Sequence, residues 1–483
     1  MSAEAGAAAL RAGGNAVDAA IGAMLVSFVC EPLLTGLAAG GYMLIAHPEG
    51  RPVLLDFFVE APGRGTDGVP GAELIPIDVS FGDAVQVFNI GAASVGSYGV
   101  AAGLCSASKR FGRLELGELV APAAQLAREG VELNAQQAYV AEILAGIVTS
   151  TPECAALFAP AGHVLRAGER QRQPELAATL ERLAAEGAAP FYTGEIAAAI
   201  AAWVGERGGL LTREDLAAYE VVDRDPVSVS YRGHDVLTNP PPSAGGILIA
   251  RALELLAAEP GPSDVARLVR AMERVQSERT PDFLDGLDDP GFARRFLGSV
   301  GRLGSTTHIA VLDGEGWACS VTCSNGSCSG VVVPGTGIHL NNMMGEQDLN
   351  PHGFHRYRPG RRMPSMMAPT VVLHDGAPRL VLGSAGSNRI RSAILQTILR
   401  VIEDGLAVPD AVQAPRVHFE EGVVYAEPGV DTAGLEASGA VVSRFRERNL
   451  FFGGVQAVER GEDGRLRGAG DPRRGGAAVA VGA

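Results

Sequence analysis

The stretch that most constrains how this chain can fold runs from residue 304 to 342, GSTTHIAVLDGEGWACSVTCSNGSCSGVVVPGTGIHLNN. A Gly-Ser pair opens onto two adjacent threonines, Thr306 and Thr307, and the pattern becomes a strand through His308, Ile309, Ala310, Val311 and Leu312. An Asp313-Gly314 turn closes it, a second strand runs from Trp317 to Thr322, and a loop of small hydroxyl and glycine residues follows. Short β-branched and apolar runs bounded by Gly and Asp are strand signals. A threonine at the mouth of such a strand is either a hydroxyl nucleophile or simply a good strand former. The rest of the chain has to decide.

Length and charge narrow the field. A chain of 483 residues has room for about two to four domains, or for one large layered α/β domain. A net charge of −15 disfavours nucleic acid and membrane as partners, because both need clustered Lys and Arg. The six cysteines (Cys30, Cys105, Cys154, Cys319, Cys323 and Cys328) contain no Cys-x-x-Cys, so reduced, mostly buried thiols are expected. Met1 leads at once into a helical pattern with no basic or apolar leader, which makes a cytoplasmic location the expectation. The apolar run Ala19 to Cys30, flanked by Asp18 and Glu31, is too short to span a bilayer.

Periodicity predicts a helix over 3–30, interrupted at Gly13-Gly14, and strands at 42–46 and 53–58. It also predicts helices over 113–130 and 174–203, a strand over 227–236, strands at 369–373 and 379–383, and a helix over 392–403. Thr212 and Asp215 have the spacing of a capping box. The prolines Pro240, Pro241 and Pro242 stand before the first turn of another helix. Residues 277–303 are charged and irregular, and read as an exposed segment delivering the chain to Thr306.

Several familiar chemistries lack their motifs. His339, Asp348, His352 and His355 do not have a common zinc spacing. Ser106 and Lys109 match one β-lactamase fragment without its partners, and no G-x-S-x-G, P-loop or G-x-G-x-x-G is present. No metal or cofactor is expected.

A set of short motifs is more specific because of its order. Gly13-Gly14-Asn15-Ala16-Val17-Asp18-Ala19-Ala20, Glu31-Pro32, Pro240-Pro241-Pro242-Ser243, Thr306-Thr307-His308, Val333-Pro334-Gly335-Thr336-Gly337, Asn341-Asn342 and Gly383-Ser384-Ala385-Gly386 follow one another along the whole chain. Together they resemble the gamma-glutamyltranspeptidase family of N-terminal-nucleophile hydrolases. The resemblance implies an α+β, four-layer αββα fold made as one precursor, which cuts itself between Ser305 and Thr306. The products would be a large subunit, 1–305, and a small one, 306–483, partners in one folded domain. It implies Thr306 as nucleophile, Ser324 as a second hydroxyl near its amine, and the backbone N–H groups of Gly386 and Ser387 as oxyanion hole.

The implied substrate pocket departs from the family pattern. Where the family has an Arg that holds a glutamyl α-carboxylate, this chain has Phe58. The paired serines that assist it are Ser365 and Met366, and the acid facing the α-amine is Glu346. The amine-binding Asn corresponds to Asn325 or Gly326. Loss of a bidentate Arg removes a charge-assisted clamp. Arg356, Arg358, Arg361, Arg362 or Arg389 could replace it, or could be solvated or paired on the surface. An apolar acyl group stacking on Phe58 and simple core packing of Phe58 are both consistent with the sequence.

The expectation is therefore an enzyme acting on a small-molecule substrate, hydrolysing or transferring a gamma-glutamyl or related small acyl group. One alternative is a branch specialised for a biosynthetic intermediate such as an antibiotic precursor, where the same attack could cleave a carbon–carbon bond next to a ketone. Another is an unprocessed binding protein.

Overall fold

Asn15 sets the first layer of the structure. In a computed structural model, which describes residues 1–66, 72–80, 85–259, 264–278, 306–347, 349–350, 352–386 and 388–482, its side chain accepts from the Val17 and Asp18 N–H groups while the Asp18 carboxylate accepts from the Asn15 N–H. This reciprocal cap starts the helix Ala16–Cys30, all fifteen residues of which are buried. Asp18 also accepts from the N–H groups of Arg113 and Leu114, fastening this helix to the segment that leads into the helix Leu116–Glu129.

Beneath these helices lies a five-stranded sheet, ordered Thr307–Leu312, Ala318–Ser324, Gly40–Ala46, Val53–Phe57, Val222–Arg224. Neighbours are antiparallel throughout. A six-stranded antiparallel sheet faces it, ordered Leu466–Gly470, Gly454–Arg460, Ala377–Ala385, Thr370–His374, His234–Thr238, Val227–Tyr231. Side chains alternate across a strand, and burial follows. Met43, Ile45, Cys319 and Val321 pack towards the helix Ala16–Cys30. Tyr42, Leu44, Ala318 and Leu312 meet Leu237, Val371 and Val381 of the other sheet. Beyond the second sheet, Val236, Val372, Leu380 and Val455 pack against Ile247, Leu253, Ile394 and Ile398 of the helices Gly245–Ala258 and Arg389–Ile402. The layers are helix, sheet, sheet, helix, the αββα order that the motifs imply.

Local differences from the sequence reading have local causes. The helix expected over 174–203 is three helices, Pro174–Glu186, Ala189–Tyr192 and Glu195–Gly205, broken at Gly187, whose φ is +66°, and at Thr193-Gly194. The strand expected over 227–236 is a hairpin, because Arg232 and Gly233 take φ of +49° and +79°, the left-handed values of a tight turn. The helix expected from 392 begins at Arg389. The Thr212–Asp215 capping box forms as read. All six cysteines are unpaired, five of them buried. The segment from 279 to 305 lies outside the described residues. Among the described residues no helix is long and apolar enough to cross a membrane.

One hydroxyl joins the sheets. Ser320 Oγ donates to the Leu382 carbonyl and accepts from the Thr370 N–H, both at 3.0 Å. Ser320→Ala keeps the volume but strands both backbone groups inside the sandwich. It is expected to lower stability by about 1–3 kcal/mol, read as a lower midpoint in thermal and urea unfolding. An unchanged midpoint would show that the bridge contributes nothing.

Candidate active site

The antiparallel register gathers three chain segments at one end of the first sheet. Thr307 pairs with Cys323 and Gly40 with Ser324, so Thr306, Ser324 and the loop 31–39 share that edge. Alternation turns Thr306, His308 and Leu312 towards the gap between the sheets. Thr306 is 1% exposed, and among the described residues its Oγ1 has no hydrogen-bond partner. A buried hydroxyl without a partner is uncommon and calls for an explanation. Its neighbour Thr307 is committed, donating to Glu31 Oε2 at 2.9 Å. Burial raises the Glu31 carboxyl, and the Thr307 hydroxyl works against that rise.

Across the gap, the strand Ala377–Ala385 ends beside Thr306; Thr306 and Ala385 line one cavity. Their approach depends on a missing side chain. The His308 ring lies on Gly383, where a Cβ would come within 2.3 Å of His308 Cε1. His308 Nδ1 bonds Thr322 Oγ1 at 2.8 Å, and burial pulls its pKa down to about 3, so the imidazole is neutral at working pH. Gly386 follows with φ +115°, and a Cβ there would stand 2.7 Å from Gly453 Cα. Both facts demand glycine. The chain then enters the helix Arg389–Ile402, so the turn at Gly386 sits at a helix N-terminus, where free N–H groups and the helix dipole favour negative charge.

A buried hydrogen-bonded set braces that turn. Ser392 Oγ lies 2.7 Å from His418 Nδ1, and His418 Nε2 lies 3.3 Å from Glu420 Oε2. Glu420 in turn accepts from the Asn388 amide. This has the order of a Ser-His-acid triad, yet Ser392 is 4% exposed inside a helix and its partners lead to the turn. The sequence reading missed it, since no spacing links residues 388, 392, 418 and 420.

The floor of the site is polar and largely hydrogen-bonded. Gly326 N donates to Ser324 Oγ at 2.7 Å. Ser327 N donates to Asn342 Oδ1 at 2.9 Å and to Glu346 Oε1 at 3.2 Å. Burial raises the Glu346 carboxyl, with the Ser327 N–H opposing.

Two adjoining cavities reach this region. One, of ≈ 650 Å³, runs along Thr306–Leu312. The other, of ≈ 150 Å³, is walled largely by apolar side chains such as Leu33, Phe88, Leu133, Val140 and Leu144, with Gly326 and Ser327 at its edge. Cys30, Glu31, Leu34 and Arg474 line both.

The structure brings Thr306, Ser324, Gly386 and Glu346 into one neighbourhood, and Phe58 packs against Gly40, the strand partner of Ser324. Phe58 is fully buried between the sheets, stacked on Tyr42 at 5.3 Å. Its ring belongs to the core. Met366 packs in the core beyond the second sheet, and Ser365 Oγ accepts from the Met367 N–H. Arg362 is committed to Asp56, Glu60, Tyr219 and the Phe58 carbonyl. Arg361 stacks on Tyr357 and Arg389 on Phe451. Ser305, Ser387 and Asp348 lie outside the described residues. His339 packs on Phe158 and His355 bonds the Ala93 carbonyl; among the described residues no three potential metal ligands converge.

A four-layer αββα sandwich with a threonine at the start of an edge strand of its first sheet defines an N-terminal-nucleophile hydrolase fold. The chain belongs to the gamma-glutamyltranspeptidase family, whose model matches residues 2–292 and 293–481, and it is an enzyme of that family. It is 32% identical to the acylase ACY 1 proenzyme of Pseudomonas sp. (strain SE83), covering 100% of this chain and 92% of that one. It is 33% identical to the glutathione hydrolase proenzyme of Escherichia coli (strain K12), covering 96% and 87%. The crystal structure of cephalosporin acylase from Bacillus halodurans superposes with a TM-score of 0.84 at 27% identity, over 100% of this chain and 94% of that one.

Glu346 gives a pH test of this geometry. Its folded pKa is raised, so the folded protein holds this proton more tightly than the unfolded chain does. The stability it contributes is present at low pH and is lost as pH rises through the folded value. Glu346→Gln keeps an acceptor for Ser327 and removes the titration. The variant is expected to lose less stability than wild type between about pH 4 and about pH 8, measured by urea unfolding. Parallel curves would contradict burial of the ionised carboxylate.

Proposed function

We propose that this chain is a self-cleaving amidohydrolase or acyltransferase whose nucleophile is Thr306. The observation that carries the reading is the Thr306 hydroxyl, buried at a strand end without a partner among the described residues and facing a cavity also lined by Ala385, the residue before the glycine turn. In the precursor, Thr306 Oγ attacks the carbonyl of Ser305, and the amide becomes an ester as the acyl group moves from nitrogen to oxygen. Water hydrolyses that ester and leaves residues 1–305 and 306–483 as separate chains of one sandwich. The freed α-amine of Thr306 has a pKa of roughly 7.7–8, suited to take the proton from its own hydroxyl and return it to the leaving amine.

The second step uses the same atoms. Thr306 Oγ attacks a substrate acyl carbon, and the N–H groups of Gly386 and Ser387 hold the developing oxyanion. Such donors contribute about 3 kcal/mol each to transition-state stabilisation. Ser324 lies beside the α-amine at the same strand end. Water or an acceptor amine then releases the acyl group.

The substrate is a small acyl amide of the gamma-glutamyl type or a relative of it. Burial of Phe58 at the usual clamp position and the largely apolar side cavity favour an acyl group other than free glutamyl. The relatives called acylases are consistent with this, and so is a role on a biosynthetic intermediate.

Purified wild type is expected to run as two fragments on a denaturing gel and to release p-nitroaniline from simple acyl p-nitroanilides. Thr306→Ala is expected to remain one chain and to release none. A wild-type protein that stays uncut and inert, unchanged by Thr306→Ala, would mean a non-catalytic binding protein instead.

A further inference from the structure

Charge accounting around the larger cavity leaves one residue over. Its described lining carries six ionisable acidic or arginine side chains: Glu31, Asp313, Glu315, Glu459, Arg467 and Arg474. Glu31 accepts from Thr307, and Asp313 from the Ala16, Glu315 and Trp317 N–H groups. Glu315 pairs with Arg113, Glu459 with Arg379, and Arg467 with Asp463. Among the described residues Arg474 donates only to the Leu450 carbonyl, through Nη2 at 3.3 Å, and its buried Nε has no partner.

The neighbouring arginines make the contrast sharp. Arg473 is tied to Glu427, Asp471 and the carbonyls of Val412 and Ala414, and Arg416 pairs with Asp471 at 2.6 Å. These bonds fix the backbone on which Arg474 is mounted. The Arg474 stem then crosses Gly454, where a Cβ would touch Arg474 Cδ at 2.5 Å, and Nη2 stands 3.2 Å from a Cβ built on Gly386. Burial, with Arg389 as the largest charge acting the same way, pulls Arg474 down to about 10, so it stays a cation at working pH. Asp471 acts on Arg474 from a distance, and a guanidinium held rigidly beside the glycine turn with no direct carboxylate contact among the described residues is destabilising in the empty protein. It becomes favourable when a carboxylate accepts its fork of N–H groups.

We infer that Arg474 is a specificity-determining residue, which receives a carboxylate carried on the acyl part of the substrate. It enters from the C-terminal segment, and so supplies a cation that position 58 does not. Arg474 also lines the apolar cavity beside Gly326 and Ser327. The acyl groups it suits therefore combine an aliphatic chain with an anionic end, as a dicarboxylic acid monoamide does. This inference rests on the acyl-transfer reading above.

The experiment compares glutaryl and valeryl p-nitroanilides, equal in carbon count and differing in the terminal carboxylate, on the processed enzyme. The glutaryl-to-valeryl ratio of kcat/KM is expected to fall at least tenfold in Arg474→Gln, mainly through KM, and to be partly kept in Arg474→Lys. An unchanged ratio overturns the inference. Calorimetric titration with glutarate and with valerate separates the two readings, because it needs no turnover. Wild type is expected to bind glutarate at least tenfold more tightly than valerate, and the Gln variant to lose that margin. Equal binding of the two acids by wild type overturns the inference even if a variant fails to fold. Glutarate selectivity without turnover of either anilide would instead count against the acyl-transfer reading and leave the role of Arg474 supported.

Discussion

The close approach of the two sheets at His308 and Gly383 is the constraint on which the site depends. His308, Thr306 and Leu312 project into the gap from one strand, and Gly383 and Ala385 approach from the other. Only the missing side chain at Gly383 lets the His308 ring lie flat against the opposing backbone. Its hydrogen bond to Thr322 and its neutral state make that contact compatible with a dry interior. Two residues towards the strand end, the same alternation sets Thr306 opposite Ala385 and the turn at Gly386. The nucleophile's position thus follows from sheet packing more than from any bond of its own.

The surroundings divide into fixed and open parts. The turn at Gly386 is braced by Asn388, Glu420, His418 and Ser392, and the floor by Ser327, Asn342 and Glu346. Groups arranged in this way need not reorganise when charge develops on a reacting oxygen. The Thr306 hydroxyl and the Arg474 guanidinium are among the buried polar groups left without full partners, as are His308 Nε2 and Asn325 Oδ1. The hydroxyl suits an attacking group and the guanidinium a recognised anion.

Much of the fold was legible because local signals agreed with burial. Apolar periodicity announced the helix after Gly13-Gly14, and the Asp313-Gly314 turn announced the hairpin that carries Thr306. The reading failed where the signal was weak. Alanine-rich sequence concealed the breaks near Gly187 and Gly194, and Arg232-Gly233 is a less obvious turn than Asn-Gly. At the site, motif order located the threonine, the serine and the glycine turn. It could not say that Phe57 and Phe58 face opposite sides of their sheet, one towards the helices and one into the sandwich. Nor could it separate Arg473 from Arg474, adjacent and identical in type, one enclosed by carboxylates and carbonyls and the other nearly bare. Those distinctions arise mainly from tertiary contacts, such as Arg473 with Glu427 and Arg474 with Leu450, that no local pattern shows.

The central claim is that Thr306 becomes a new N-terminus and carries the acyl group. Intact-mass spectrometry of enzyme quenched in acid during turnover tests it most directly. The predicted result is a fragment beginning Thr-Thr-His-Ile-Ala, a share of which is heavier by one acyl group. An uncut chain, a different N-terminal residue, or an adduct only on the other fragment would contradict it.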